Sequence, residues 1–156
     1  MTCYREELEY NIAFAKAVVK ERGKLSPMVV GIVGRERLCF PFFFRDDEEL
    51  KVQTEIIKAE LRKAGATALV VLTEAWYLKL RHPALYSPAY QRPKDHPDRK
   101  ECLVIFFITK VASVRAIIPF TRVLDTIEFG QETRLHYKTV NDEQWGDLFF
   151  PQKKGS

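Results

Sequence analysis

Ala68-Leu69-Val70-Val71-Leu72 and Cys102-Leu103-Val104-Ile105-Phe106-Phe107-Ile108 are the two stretches that decide the fold. Both are short, continuous apolar runs rich in β-branched and aromatic residues, which is typical of strands buried on both faces. Between them, residues 79–100 are rich in proline, tyrosine and charge. We therefore predict two central strands that carry a long polar loop, and binding residues tend to lie on loops held by a rigid scaffold.

Two amphipathic helices are predicted outside these runs. Residues 1–23 place an apolar side chain at every third or fourth position, and Gly23 suits the residue that follows a last helical turn. Residues 46–65 repeat this pattern. Asp46 and Glu49 have the spacing of a capping box, and Gly65 is the expected end.

The other predicted elements are strands. With the two central runs extended to their natural limits, they cover residues 28–34, 38–44, 66–77, 101–109, 112–121, 124–129 and 134–140. Pro41 lacks a backbone donor, so its strand is predicted at a sheet edge or at a bulge. Residues 130–133 are predicted to connect the last two strands as a hairpin.

This order, α-β-β-α-β-β-β-β-β, predicts a single α+β domain over residues 1–151 and a frayed tail over 152–156. We expect one antiparallel β-sheet of about five to seven strands with the two amphipathic helices packed on it. The order resembles profilin-like and roadblock-like topologies. That likeness concerns topology alone and carries no function.

Composition indicates a soluble globular protein. Hydrophobic residues make up 46% and charged residues 29% of the 156 positions. No apolar run approaches the roughly 20 residues that cross a bilayer, and the N-terminus lacks the pattern of a signal peptide. Cys3, Cys39 and Cys102 form no Cys-x-x-Cys pair. We therefore expect a reduced, cytoplasmic compartment, with Cys39 and Cys102 as small buried hydrophobes.

Positive charge is concentrated in the loop. Residues 79–100 contain six basic and two acidic residues, a net charge of +4 that equals that of the whole chain. Tyrosines interleave with these cations, and residues 134, 136 and 138 add a basic strand face. Such a surface could bind nucleic acid by stacking and phosphate contacts. The competing interpretation is a solvated loop whose tyrosines pack on the sheet.

The candidate binding residues of the loop and its base are Glu74, Trp76, Arg81, Tyr86, Tyr90, Arg92, Lys94, His96, Asp98, Arg99 and Glu101, and those of the strand face are Arg134, His136 and Lys138.

Acidic residues mark both ends of the loop. If the flanking strands are neighbours, Glu74 and Glu101 can approach each other. Two carboxylates beside His96 and Arg99 could perform acid–base chemistry or hold a divalent cation. The preferred interpretation is structural, in which Arg99 pairs with one carboxylate, because an unpaired buried charge is costly.

Other routes to chemistry lack support. Residues 31–34 do not continue into the Lys-Ser/Thr of a phosphate-binding loop, and no Gly-x-Ser-x-Gly motif occurs. The three histidines are too scattered to indicate zinc. No catalytic residue, metal or cofactor is assigned.

One resemblance rests on Thr73-Glu74-Ala75-Trp76, the proline-rich segment and His96-Pro97-Asp98-Arg99-Lys100-Glu101. This pattern resembles a loosely defined family of uncharacterised bacterial and phage proteins and covers roughly a quarter to a third of the chain. The resemblance implies no activity. It implies that Glu74, Trp76, Pro97, Arg99 and Glu101 form one unit.

The leading hypothesis is a non-enzymatic binding or regulatory module with an unknown protein partner, and analogy with roadblock-like and profilin-like domains allows a homodimer. The alternative is a nucleic-acid-associated protein of a phage or mobile element, including a metal-dependent hydrolase that uses Glu74, Asp98 and Glu101.

Overall fold

The computed structural model describes residues 4–77, 100–137, 145 and 148, with the side chains of 76 and 77 left aside. Within these ranges it contains two helices and one antiparallel sheet of seven strands, in the predicted order. The helices are α1 (Tyr4–Arg22) and α2 (Asp47–Ala64). The strands are β1 (Met28–Val33), β2 (Glu36–Pro41), β3 (Ala68–Tyr77), β4 (Lys100–Thr109), β5 (Ser113–Val123), β6 (Thr126–Phe129) and β7 (Thr133–Tyr137).

The strand order is β2-β1-β3-β4-β5-β6, with β7 also paired to β5. The two apolar runs therefore lie in the central strands β3 and β4, as predicted. Pro41 was predicted at a sheet edge or at a bulge, and the edge position is confirmed, because β2 is the outermost of the described strands. Pro41 is the last residue of that strand, and its nitrogen belongs to a non-hydrogen-bonded pair with Met28, on the side away from β1. Phe42 still donates its N–H to the Pro27 carbonyl at 3.0 Å, but Pro27 has no N–H to donate in return, so the ladder does not continue to residue 44.

Each helix covers a different face of the sheet. The first apolar core joins α1 to alternate residues of the central strands, among them Val70, Leu72 and Leu103. The second joins α2 to the intervening residues, among them Leu69 and Phe106. A strand with helices on both sides has no face left for water, which explains why β3 and β4 are continuously apolar.

The C-terminal aromatic residue Trp145 also belongs to the second core. Trp145 and Leu148 are buried there, and the Trp145 ring lies 5.9 Å from that of Phe42 between centroids. The guanidinium of Arg62 in α2 donates a hydrogen bond to the carbonyl of Leu148, at 3.1 Å. The predicted tail, residues 152–156, lies outside the described residues.

The helix ends follow the sequence signals with one difference. The Asp46 side chain accepts a hydrogen bond from the Glu49 amide at 2.8 Å, and Gly65 adopts a left-handed conformation after α2. The Glu49 carboxylate, however, accepts from the backbone N–H of Arg45 rather than of Asp46. The reciprocal half of the predicted capping box is thus displaced by one residue, and the Arg45 guanidinium strengthens it with an ion pair at 2.7 Å.

The predicted hairpin between the last two strands is wrong. β6 pairs with residues 120–123 of β5, and β7 pairs with residues 113–117 of the same strand, so both run along one edge in the same direction. Between these two ladders lies Pro119, which cannot donate a hydrogen bond. Gly130 donates its N–H to the Pro119 carbonyl at 2.7 Å, which holds the interruption in place. The sequence around residue 130 therefore marks a bulge in a continuing edge and not a reversal.

The actual reversal lies at residues 124–125, which were predicted to begin a strand. Leu124 has a φ of +55° and is 98% exposed. Asp125 is a turn residue, but the left-handed residue itself is a leucine, which does not signal a turn as Gly or Asn would.

Candidate functional site

A strand-end cluster, which we define as Glu74, Glu101 and Arg122 with the backbone of Gly23 and Leu25, lies where the 78–99 segment leaves and rejoins the sheet. β3 and β4 pair without interruption from Ala68–Thr109 to Tyr77–Lys100. Both ends of the segment are therefore fixed on adjacent, central strands.

Register places the two carboxylates on one face. Glu74 pairs with Leu103, and Trp76 pairs with Glu101, so Glu74 and Glu101 are two positions apart along the ladder. Residues directly opposite each other point to the same side, and so do alternate residues along a strand. Leu103 belongs to the core under α1, which puts both carboxylates on the α1 side. The predicted approach of Glu74 and Glu101 thus follows from the observed pairing.

Each carboxylate is engaged by a different group. Glu74 Oε1 accepts a hydrogen bond of 2.6 Å from the backbone N–H of Leu25, just after α1. Glu101 receives two bonds from the Arg122 guanidinium, with Nε to Oε2 at 2.9 Å and Nη2 to Oε1 at 3.3 Å. This two-pronged geometry is the one that suits an arginine–carboxylate pair.

Arg122 also joins the sheet to the helix. Its Nη1 donates to the carbonyl of Gly23 at 2.6 Å, at the C-terminal end of α1, where a cation is electrostatically favourable. The hydrogen bond to Glu101 is the main cause that raises the pKa of Arg122, and the negative charge of Glu74 adds to it. The guanidinium therefore stays charged and binds the end of α1 to β4 and β5.

Arg122 was not among the residues predicted from the sequence. The strand alternation contained the signal, because Ala116, Ile118 and Phe120 share one face of β5 and Arg122 continues it. The predicted partner, Arg99, lies outside the described residues, and its pairing stays a prediction. Of the other candidates, Arg81, Tyr86, Tyr90, Arg92, Lys94, His96 and Asp98 lie outside them as well, and Trp76 is described through its backbone.

The basic strand face has a different character from that expected. The Arg134 guanidinium is ion-paired with Glu132 and with Glu9 of α1. The hydrogen bond to Glu132 is the main cause that raises the pKa of Arg134. His136 is exposed, and Lys138 lies beyond the described residues. Two carboxylates thus offset the positive charge of Arg134, which weakens its electrostatic attraction for a phosphate.

A cleft of about 560 Å³ lies at the other end of the sheet, between the start of α1 and the β1–β2 turn. Glu6 and Arg35 supply charges of opposite sign, and the lining also includes Thr67, Phe107 and Thr109. Its size is within the range of small-molecule sites. The cleft was not predicted from the sequence because its lining comes from separate elements of the chain.

The two described cysteines occupy contrasting environments. Cys102 is buried and its thiol lies 3.5 Å from the carbonyl of Ala75, whereas Cys39 is exposed. The prediction that both are buried is therefore wrong for Cys39, which lies on the edge strand β2, where no further strand covers it in the described part of the chain. Burial raises the pKa of Cys102 to about 11.

A thiol-specific alkylating reagent at mildly alkaline pH should consequently modify Cys39 about a hundredfold faster than Cys102, because the thiolate is the nucleophile. Peptide mass spectrometry of samples taken over time measures both rates. Cys102 should become more reactive as the pH rises toward 11. Over the same pH range the folded state should lose the stability that the protonated Cys102 thiol contributes below pH 9.0. In denaturant the two rates should converge, and equal rates in the folded protein would contradict the burial of Cys102.

Comparisons with known proteins return no match: no protein-family model fits the chain, and no curated protein or solved structure is significantly similar to it. The likenesses to profilin-like and roadblock-like topologies, and to the bacterial and phage pattern, stay predictions. No helix within the described ranges combines the length and apolar character needed to cross a membrane. Among those same residues, no group of three or more potential ligands converges in the manner of a metal site.

Proposed function

We propose that this chain is a non-enzymatic binding or regulatory module whose contact surface is formed by residues 79–100. The observation that carries the proposal is the engagement of both strand-end carboxylates, Glu74 by the Leu25 amide and Glu101 by Arg122. A general acid, base or metal ligand needs lone pairs directed at a substrate or ion. Here Oε1 of Glu74 and both carboxylate oxygens of Glu101 accept hydrogen bonds from structural groups, which suits an anchor for the loop.

The anchor reduces the cost of recognition. A segment that leaves and rejoins adjacent central strands has its ends held together before any partner arrives, so part of the ordering entropy is lost in folding rather than in binding. The cluster extends this support to α1 through Gly23 and Leu25. The partner's chemistry follows from the segment's composition: an acidic protein surface complements its net charge of +4.

The test is a photo-crosslinking amino acid placed at Tyr90 in the full chain, in cells of its natural source. A matched probe replaces Arg35, an exposed residue at the opposite end of the sheet. We expect a discrete adduct from position 90 that is lost when Arg92 and Lys94 are both changed to serine, because the acidic partner then loses its cations. Equal adducts from both probes, or an adduct that survives the double substitution, would contradict the proposal.

Arg122→Met provides a second, independent arm. It removes the hydrogen bonds to Glu101 and Gly23 while keeping the length of the side chain. The variant should remain folded by circular dichroism, since the Arg122–Glu101 pair is partly exposed and such pairs contribute about 1 kcal/mol or less. Crosslinking at position 90 should nevertheless fall several-fold, because the base of the segment is loosened. Unchanged crosslinking would show that the cluster does not support the contact surface.

The second candidate is association with nucleic acid, including the phage or mobile-element role, and the charge and tyrosines of residues 79–100 favour it. Fluorescence anisotropy with a labelled single-stranded oligonucleotide tests it. A contact made by this segment should weaken with salt at a log–log slope of about −3, as expected for roughly four neutralised phosphates. Lack of binding at low salt removes this candidate.

The metal-dependent hydrolase hypothesis adds Asp98 to Glu74 and Glu101. Thermal stabilisation of the protein by Mg²⁺ or Mn²⁺ that is lost in Asp98→Asn would favour this hypothesis.

A further inference from the structure

α2 carries an apolar stripe on the side that faces away from the sheet. Thr54, Ile57, Lys58 and Leu61 are the buried residues of its inner face. Val52, Ile56 and Ala59 are exposed, at spacings of four and three that align them on one helical face. Val52 is 55% and Ile56 is 57% exposed. Two adjacent β-branched residues at this exposure are unusual on a helix whose other outward positions are mostly charged.

The loop before α2 extends the apolar surface. Phe43 is 62% and Phe44 is 42% exposed. The Gln53 side-chain amide donates a hydrogen bond to the Phe43 carbonyl, which holds this loop against the first half of the helix. Exposed apolar residues grouped on one side of a protein usually mark an interaction surface.

Charge along the stripe indicates what binds there. Glu48 precedes the apolar residues by one helical turn, and Lys63 follows them by one turn, both exposed. A second copy of α2 laid antiparallel across the stripe brings Glu48 of each chain beside Lys63 of the other, with the apolar residues between them. A two-fold axis makes this contact occur twice.

Other partners are less complementary. α2 contains five acidic and four basic residues, so the helix as a whole is nearly neutral. An anionic lipid surface or a nucleic acid requires a basic face, and α2 does not provide one. A surface whose charges reverse from one end to the other complements its own antiparallel copy.

We infer that the exposed face of α2 is a self-association surface, on which a second copy of this chain packs through an antiparallel α2–α2 contact centred on Val52, Ile56 and Ala59. The contact lies on the face of the sheet opposite to α1, and it does not depend on the function proposed for residues 79–100.

Analytical ultracentrifugation of the full chain across the micromolar range tests the inference. The expected species is a dimer with twice the monomer mass of 18.2 kDa. Ile56→Glu should weaken the dimer at least tenfold, because it places a carboxylate in the centre of a two-fold apolar contact. Val111→Glu is the matched control, since Val111 is 74% exposed in the β4–β5 connection, and it should leave the dimer unchanged. Circular dichroism confirms that both variants are folded.

A charge-reversal pair identifies the geometry. Glu48→Lys alone and Lys63→Glu alone should each weaken the dimer about tenfold, because each creates two like-charge contacts. The double variant should recover the affinity of the original chain. Residues 48 and 63 are roughly 22 Å apart along one helix, at about 1.5 Å of rise per residue, so recovery must arise between chains.

Three results would overturn the inference. The first is a monomer at every concentration, which would leave the face without a second copy. The second is a dimer that tolerates Ile56→Glu, which would assign self-association to another surface such as the β2 edge. The third is a dimer that Ile56→Glu disrupts but that the double charge reversal fails to restore, which would exclude the antiparallel arrangement.

Discussion

Leu103→Ala should lower the free energy of unfolding by about 2–5 kcal/mol, the range for a leucine removed from a core that cannot collapse around the cavity. Leu103 is fully buried at the centre of β4, between Glu74 of β3 and Ile118 of β5 in the strand register. Its side chain belongs to the core that α1 covers. Strands on both sides and a helix above leave little freedom for neighbouring side chains to fill the space.

Urea denaturation followed by circular dichroism measures this change. Leu124→Ala is the control, because it deletes the same atoms from a leucine that is 98% exposed, and it should change stability by no more than about 0.5 kcal/mol. Leu103 lies directly opposite Glu74, which accepts a hydrogen bond from the Leu25 N–H. The variant should therefore also increase the rate of hydrogen exchange at the Leu25 amide. Similar losses for the two leucine variants would contradict the central position of β4.

Gly31→Ala should lower stability by about 1–3 kcal/mol, although alanine normally suits a strand better than glycine. A Cβ atom at position 31 would lie 2.1 Å from Leu61 Cδ2, far inside van der Waals contact. Leu61 is fully buried beneath α2 and cannot turn toward water. The added methyl group must therefore displace the helix from the sheet or force Leu61 out of its rotamer.

A double-mutant cycle isolates this contact. Leu61→Ala alone should cost about 2–5 kcal/mol, and adding Gly31→Ala to it should cost nothing further or restore some stability, because the new methyl group occupies the space that Leu61 vacates. Thermal denaturation of the four proteins gives the coupling free energy. If the losses of stability in the two single variants simply added in the double variant, β1 and α2 would not be in close contact at Gly31.

The candidate site was partly predictable, and the reason lies in register. The predicted approach of Glu74 and Glu101 depended on β3 and β4 being neighbours, and both runs are long and apolar enough to be identified as strands; the observed pairing meets that condition. The partners of the two carboxylates could not be found in the same way. Arg122 lies 21 positions after Glu101, and Leu25 lies 49 positions before Glu74. Contacts of this kind depend on which strands and helices become neighbours, and sequence spacing carries no such information.

Sequence alone determined most elements of this protein: the helices with their capping residues at Asp46, Gly23 and Gly65, the order of helices and strands along the chain, and the central position of the two apolar runs. These features follow from local periodicity and backbone preference, which are properties of neighbouring residues. Tertiary structure decided that α1 and α2 cover opposite faces, that β6 and β7 share the edge of β5, and that Arg122 holds Glu101. Those outcomes required burial of apolar area and pairing of charge across the whole chain, which no short stretch of sequence can specify.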